Sequence, residues 1–167
     1  MESLRGALEG AGLIGVSTYL QSGNVVAETG DREEVVLKLR SGLASLGLDV
    51  AVLVRSAEEM QRVVSAGPFG NDGSDDSHRF VTFLPAPCPA KLPSRSARGD
   101  WEVLKQTDSE VYTAARIVDG RYGAPNGPIE AVFKAAATTR NWAVVRAVAE
   151  LLERVKGDWV KGDWVIG

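Results

Sequence analysis

The sequence predicts an α+β chain of two tandem halves, each of the split βαβ type, with antiparallel or mixed sheets and helices packed on one face. Three observations carry that prediction. Helix-like and strand-like segments interleave in the order α-β-β-α-β-α and then β-(α)-β-β-α-α. Short polar turns separate two pairs of strands, which makes each pair a hairpin. And 167 residues, 44% of them hydrophobic and 25% charged, suit one domain or two small, closely packed halves. The polar loop at 70–77 is the only candidate boundary, so residues 1–70 form the first half and 71–167 the second half with a tail.

Each element has a local reason. Residues 3–12 read as a short helix, with Ser3 as N-cap and Gly10 and Gly12 as the stop. Two runs rich in Val, Thr and Tyr follow at 15–20 and 24–29, on either side of Gln21-Ser22-Gly23-Asn24, where Gly and Asn supply the positive φ of a tight reversal. Residues 31–46 form the clearest helix of the first half. Val35, Leu39, Leu43 and Leu46 make one apolar stripe, and Asp31, Glu33 and Glu34 crowd the positive end of its dipole. The apolar run 49–55 reads as a strand covered on both faces. Ser56-Ala57-Glu58-Glu59 reads as a capping box opening a helix that ends near Gly67-Pro68.

The second half begins with a strand at 78–84. Pro85, Pro87, Pro89 and Pro93 then exclude any long helix. Runs at 101–106 and 110–118 form a second hairpin, and 120–128 is a Gly- and Pro-rich loop. A short helix is expected at 129–136 and a longer one at 139–155, where Trp142, Val145, Ala149 and Leu152 keep helical spacing. The tail holds a duplication, Lys156-Gly157-Asp158-Trp159-Val160 followed directly by Lys161-Gly162-Asp163-Trp164-Val165.

Charge and composition exclude several function classes. The net charge is −3 and the isoelectric point about 5.3, so there is no global basic field to attract duplex nucleic acid or anionic lipid. Residues 91–161 hold twelve Lys or Arg against nine acids, a mild excess and not a polybasic stripe. No apolar run approaches the roughly 20 residues of a membrane helix, and the first six residues lack the apolar stretch of a signal peptide. Cys88 is the single cysteine, which rules out an internal disulfide and any all-cysteine metal site. A cytoplasmic protein without metal or cofactor is expected.

Thr18-Tyr19-Leu20-Gln21-Ser22-Gly23-Asn24-Val25-Val26 and Ala137-Thr138-Thr139-Arg140-Asn141-Trp142 resemble two motifs of the DUF1697 family, bacterial proteins of uncharacterised function. Weaker agreement at 4–13, at 50–59 and at Gly67-Pro68-Phe69 extends the resemblance over about residues 2–153. It implies tandem ferredoxin-like halves and no particular activity. Family members usually open with a strand and a glycine-rich turn that this sequence does not show, and they usually have a helix where Pro85–Pro93 stands here. In a βαββαβ sheet that first strand is interior. Without it two neighbours would carry unpaired backbone groups at about 1–3 kcal/mol each, a heavy loss for a domain stable by about 5–15 kcal/mol. The tail at 159–166, or a strand from a second copy joining at the incomplete edge, is expected to fill the gap.

Two constellations are candidates for chemistry. Thr138-Thr139-Arg140-Asn141 opens the last helix, where Thr138 or Thr139 as cap, free first-turn amides and the Arg140 fork would hold a phosphate or carboxylate; a plain helix cap with Trp142 in the core explains the same residues. Ser22, Gly23 and Asn24 could present a nest of N–H groups to an anion as a second wall, and equally could be a simple hairpin turn. Neither Ser22 nor Cys88 has a nucleophile's setting, and His78 is the single histidine. The acidic loop at 71–76 lacks the glycine and glutamate register of a Ca²⁺ loop. Gly120–Gly127 is neither a phosphate-binding nor a dinucleotide fingerprint, though Arg121 and Tyr122 there could rim a site. The expected role is binding of a small anionic ligand or a protein partner. The alternatives are an enzyme acting on a phosphorylated or nucleotide-like substrate and an RNA-contacting accessory.

Overall fold

The structure, a computed structural model, describes residues 2–19, 23–28, 30–69, 78–87, 90–156 and 162–166. It shows an α+β fold built on antiparallel sheets. The chain divides into two compact units, one of Met1–Arg62 with Ala147–Gly167 and one of Val63–Arg146.

The first unit contains α1 (Glu2–Gly10), β1 (Ile14–Tyr19), β2 (Asn24–Glu28), α2 (Arg32–Ser45) and β3 (Leu53–Ser56). Asp31 caps α2, its Oδ2 accepting from the N–H of Glu33 at 3.0 Å and of Glu34 at 3.1 Å. At the other end Gly47, with φ +70°, donates to Ala44 O, and Leu48 donates to Leu43 O, the two bonds of a Schellman stop. Leu8, Leu13, Val16, Val25, Ala27, Val35, Leu39 and Val54 form one buried cluster. The apolar stripe of α2 differs from expectation at its end: Leu46 is 38% exposed, and Gly42 is buried instead, facing Ala7 and Leu8 of α1.

The strand expected at 49–55 is shorter, since β3 begins at Leu53 and Val50 is 48% exposed. The reason is pairing. A last strand, β10 (Gly162–Ile166), lies between β2 and β3 in the order β1-β2-β10-β3, antiparallel to both. Ile166 stands opposite Leu53, so the run before Leu53 has no pairing with β10. The gap expected in this sheet is thus taken by Gly162–Ile166 of the chain's own tail, which joins β2 to β3 without a second copy.

Helix α3 (Ala57–Ala66) opens on the predicted capping box: Ser56 N donates to Glu59 Oε2 at 2.6 Å and Glu59 N to Ser56 Oγ at 3.1 Å. The division between the units falls inside α3 and inside α5 (Trp142–Lys156).

The second unit holds β4 (Arg79–Phe83), β5 (Trp101–Gln106), β6 (Glu110–Ala115), the short pair β7 (Ile117–Val118) and β8 (Arg121–Tyr122), α4 (Asn126–Phe133) and β9 (Thr138–Asn141). Its sheet runs β5-β6-β4-β9 and is antiparallel throughout. Both sheets share one order once β10 is counted as the opening strand of its unit. In each, that opening strand lies between the third and fourth, and the second strand is at the edge. One face of the second sheet packs Val111 with Leu84, Ile129 and Phe133. Phe69 meets Trp142 edge-on at 4.9 Å and Tyr112 at 6.1 Å, and the Tyr112 hydroxyl donates to Val63 O at 3.1 Å. Trp142 is a core residue, 4% exposed.

Three expectations in this half are corrected. The last helix starts at Trp142 and not at 139, because 138–141 is strand β9, bonded along β4. The short helix sits three residues earlier than expected and stops at Lys134, whose φ is +51°. The loop at 120–128 contains β8, turned back on β7 by Asp119 and Gly120, both at positive φ as a two-residue hairpin turn requires.

Candidate functional site

The structure does not assemble Thr138–Asn141 as a helix N-terminus. As β9 they occupy an edge of the second sheet, with Thr138 opposite Phe83, Thr139 opposite Thr82, Arg140 opposite Val81 and Asn141 opposite Phe80. The Thr139 hydroxyl donates to Asn126 Oδ1 at 2.8 Å and lies 2.7 Å from the buried Thr82 Oγ1. This chain of hydroxyls ties the first residue of α4 to the sheet. Asn141, not Thr138 or Thr139, caps α5, its Oδ1 accepting from Ala143 N at 2.8 Å. The Arg140 Nη1 donates to Thr138 Oγ1 at 2.7 Å and to Thr139 O at 3.0 Å. Burial draws its pKa below the ordinary guanidinium value.

Gly23 and Asn24 belong to the first unit. Gly23 has φ +76° and serves the turn. Asn24 is fully buried at the start of β2, and its Nδ2 donates to Tyr19 O at 3.1 Å, bracing the hairpin. Ser22, Gln21, Cys88 and the acidic loop at 71–76 lie outside the described residues.

The second unit offers a different place for a ligand. Leu92, Pro93, Ser96, Arg98, Asp100, Trp101, Tyr122, Ala124, Pro128 and Val132 surround a recess of about 470 Å³, within the range of small-molecule sites. Its floor is held firmly. Ser96 Oγ donates to Asp100 Oδ1 at 2.6 Å and accepts from the N–H of Asp100 at 3.0 Å and of Trp101 at 3.3 Å. A Cβ on Gly123 would stand 2.3 Å from Asp100 O, so only glycine lets the loop before α4 come this close. Tyr122 is 52% exposed and stacks on His78 at 4.0 Å and 18°. Arg98, itself more than half exposed, stands 4.0 Å from Asp100 and from Asp119. Pro125 precedes α4 without a side-chain cap, Pro128 in the first turn carries no N–H, and the Ile129 N–H donates to Pro125 O at 3.1 Å.

Sequence reasoning touched this recess only at Tyr122. The signals for the rest were Gly99-Asp100-Trp101, a polar turn leading into an aromatic, and the Gly123-to-Gly127 spacing ahead of a helix. A larger recess of about 680 Å³ lies in the first unit beside Arg40, Leu43, Leu48 and Val50. Its wall is the irregular segment after Gly47, with no comparable set of fixed polar groups among its described lining.

A family model described as a protein of unknown function, DUF1697, matches residues 1–112. The chain belongs to the DUF1697 family. No curated protein and no solved structure matches it. The match takes in the hairpin motif at 18–26, runs through β1 to β5 of the DUF1697 chain and ends inside β6. The Thr138–Trp142 motif and Tyr122 of the recess lie beyond it, while Ser96, Asp100 and Trp101 lie within it. Among the described residues of this DUF1697 protein no group of three or more His, Cys, Asp or Glu could hold a metal ion, and no helix is long and apolar enough to cross a membrane.

Proposed function

We propose that this protein binds a small organic anion with a flat or apolar body in the recess between the 92–101 segment and α4. The observation that carries the reading is the recess itself: apolar walls from Trp101, Pro128 and Val132, with the Arg98 guanidinium at its edge. Aromatic and aliphatic walls take up ligand area, and a small number of placed polar groups orient it. A guanidinium fork favours an anionic group. In this reading Thr138–Asn141 act behind the site, since Thr139 holds Asn126 and so sets the position of α4. Gly23 and Asn24 act as turn residues and not as a second wall. The same reading takes each unit as a ferredoxin-like half, supported by the strand order that the two sheets share, and places the protein in the cytoplasm on its low cysteine usage.

Thermal shift against nucleoside monophosphates, sugar phosphates and aromatic carboxylates tests it. A ligand at 100 times its dissociation constant adds about 2.7 kcal/mol. Arg98→Ala is expected to reduce the shift and Val132→Trp, which fills the recess, to abolish it. A ligand whose shift survives both substitutions binds elsewhere and overturns the assignment.

A further inference from the structure

The tail carries the same pentapeptide twice, and β10 uses the second copy. Gly162 stands opposite Glu28, Asp163 opposite Ala27, Trp164 opposite Val26, Val165 opposite Val25 and Ile166 opposite Asn24. On the other side Val165 stands opposite Val54 and Ile166 opposite Leu53. Register in a sheet is chosen by which side chains each frame presents, because the backbone ladder is the same for all. Sliding the tail by five residues presents Gly157-Asp158-Trp159-Val160 to the same partners, with identical side chains at each. Only the final position changes, from Ile166 to Lys161.

We propose that the slot between β2 and β3 is a binding site for an extended Gly-Asp-Trp-Val segment and accepts either copy. The second copy is favoured because its last residue, set beside the buried Leu53 and Asn24, is isoleucine, whereas the first copy brings a lysine there.

The end of α5 can supply the chain that the upstream frame needs. Leu152 is fully buried, but Glu153 and Arg154 after it are exposed. Arg154 pairs with Glu150 at 3.8 Å with both side chains largely in solvent, a contact that contributes little. Unwinding residues 153–156 releases four residues with a reach of about 13–14 Å, against about 17–18 Å for the five-residue link at 157–161. The fully buried Leu152 stays in the helix, and Glu153 and Arg154, which leave it, are exposed. The two frames then differ in how much C-terminal chain extends past the Asn24 end of the sheet.

A mutant cycle in the full-length chain reads this out. Val165→Asp sets a carboxylate at the register of the buried Val25 and Val54 and disables the favoured frame, and Val160→Asp disables the other. Val160→Asp is expected to melt with the parent. Val165→Asp should melt lower but cooperatively, and the double variant should lose the cooperative transition, a far larger effect than the sum of the two singles. With Cys88→Ser in place, a disulfide between Val54→Cys and Val160→Cys should form in the Val165→Asp background. Identical melting of Val165→Asp and the double variant, loss of folding in Val165→Asp alone, or absence of that cross-link overturns the proposal.

Discussion

Glu59 shows how one residue can serve two contacts. It closes the capping box with Ser56 N, and it receives the Arg32 guanidinium. Partial burial raises its pKa, but the Ser56 amide, the Arg32 hydrogen bond and the charges of Arg32 and Arg55 together outweigh burial, leaving it below the ordinary 4.5. A carboxylate whose folded pKa is depressed contributes stability that is complete above its unfolded value and is lost as pH falls through the folded one. Glu59→Gln should therefore melt below the parent near neutral pH, and the gap should close as pH drops below about 4.5. Melting curves across that range that keep a constant gap would show that the pair is not linked to protonation. At this scale the sequence was readable where a residue acts on its neighbours. The pairing of Ser56 with Glu59 follows from spacing alone, whereas Asp31, expected as a first-turn charge, stands just outside α2 as its cap. The Thr139–Asn126 bond and the close approach of Gly123 to Asp100 join residues far apart in the chain, and no local pattern encodes them.

Among the elements, long periodic segments were read well and pairing-dependent ones poorly. α2 and α3 stand where spacing put them, and so do both hairpins. Strand β3 lost its first residues because β10 ends opposite Leu53, and Thr138–Asn141 became a strand because β4 was there to pair with it. Neither partner is visible from within the segment. Two glycines make a test of helix packing. Gly6 of α1 has open space around its missing Cβ, so Gly6→Ala should raise stability by about 1 kcal/mol on helix propensity. A Cβ on Gly42 of α2 would lie 3.0 Å from Ala7 O and 2.9 Å from Leu8 Cδ2, and the carbonyl cannot swing away. There, overpacking of about 1–3 kcal/mol exceeds the same propensity gain, and Gly42→Ala should destabilise by about 1 kcal/mol. Equal rises in melting temperature for the two variants would mean that α1 and α2 do not approach so closely.

Over the whole chain, the two units share a strand order only because the last strand described returns to the first unit. β2 and β3 are almost wholly buried, so the groups facing the slot between them would be costly to leave unpaired. That requirement was legible in the sequence, through the resemblance to a family whose sheet opens with an interior strand; the register that meets it was not, because two identical pentapeptides satisfy it equally by pattern. The recess of the second unit was legible least, being made from segments whose only common feature is their place around α4. Amide hydrogen exchange of the intact protein tests most directly whether Gly162–Ile166 is a central strand. The amides of both β10 and β2 should exchange far more slowly than those of a free peptide. Exchange of β10 at the speed of a free peptide, with β2 still protected, would contradict the account.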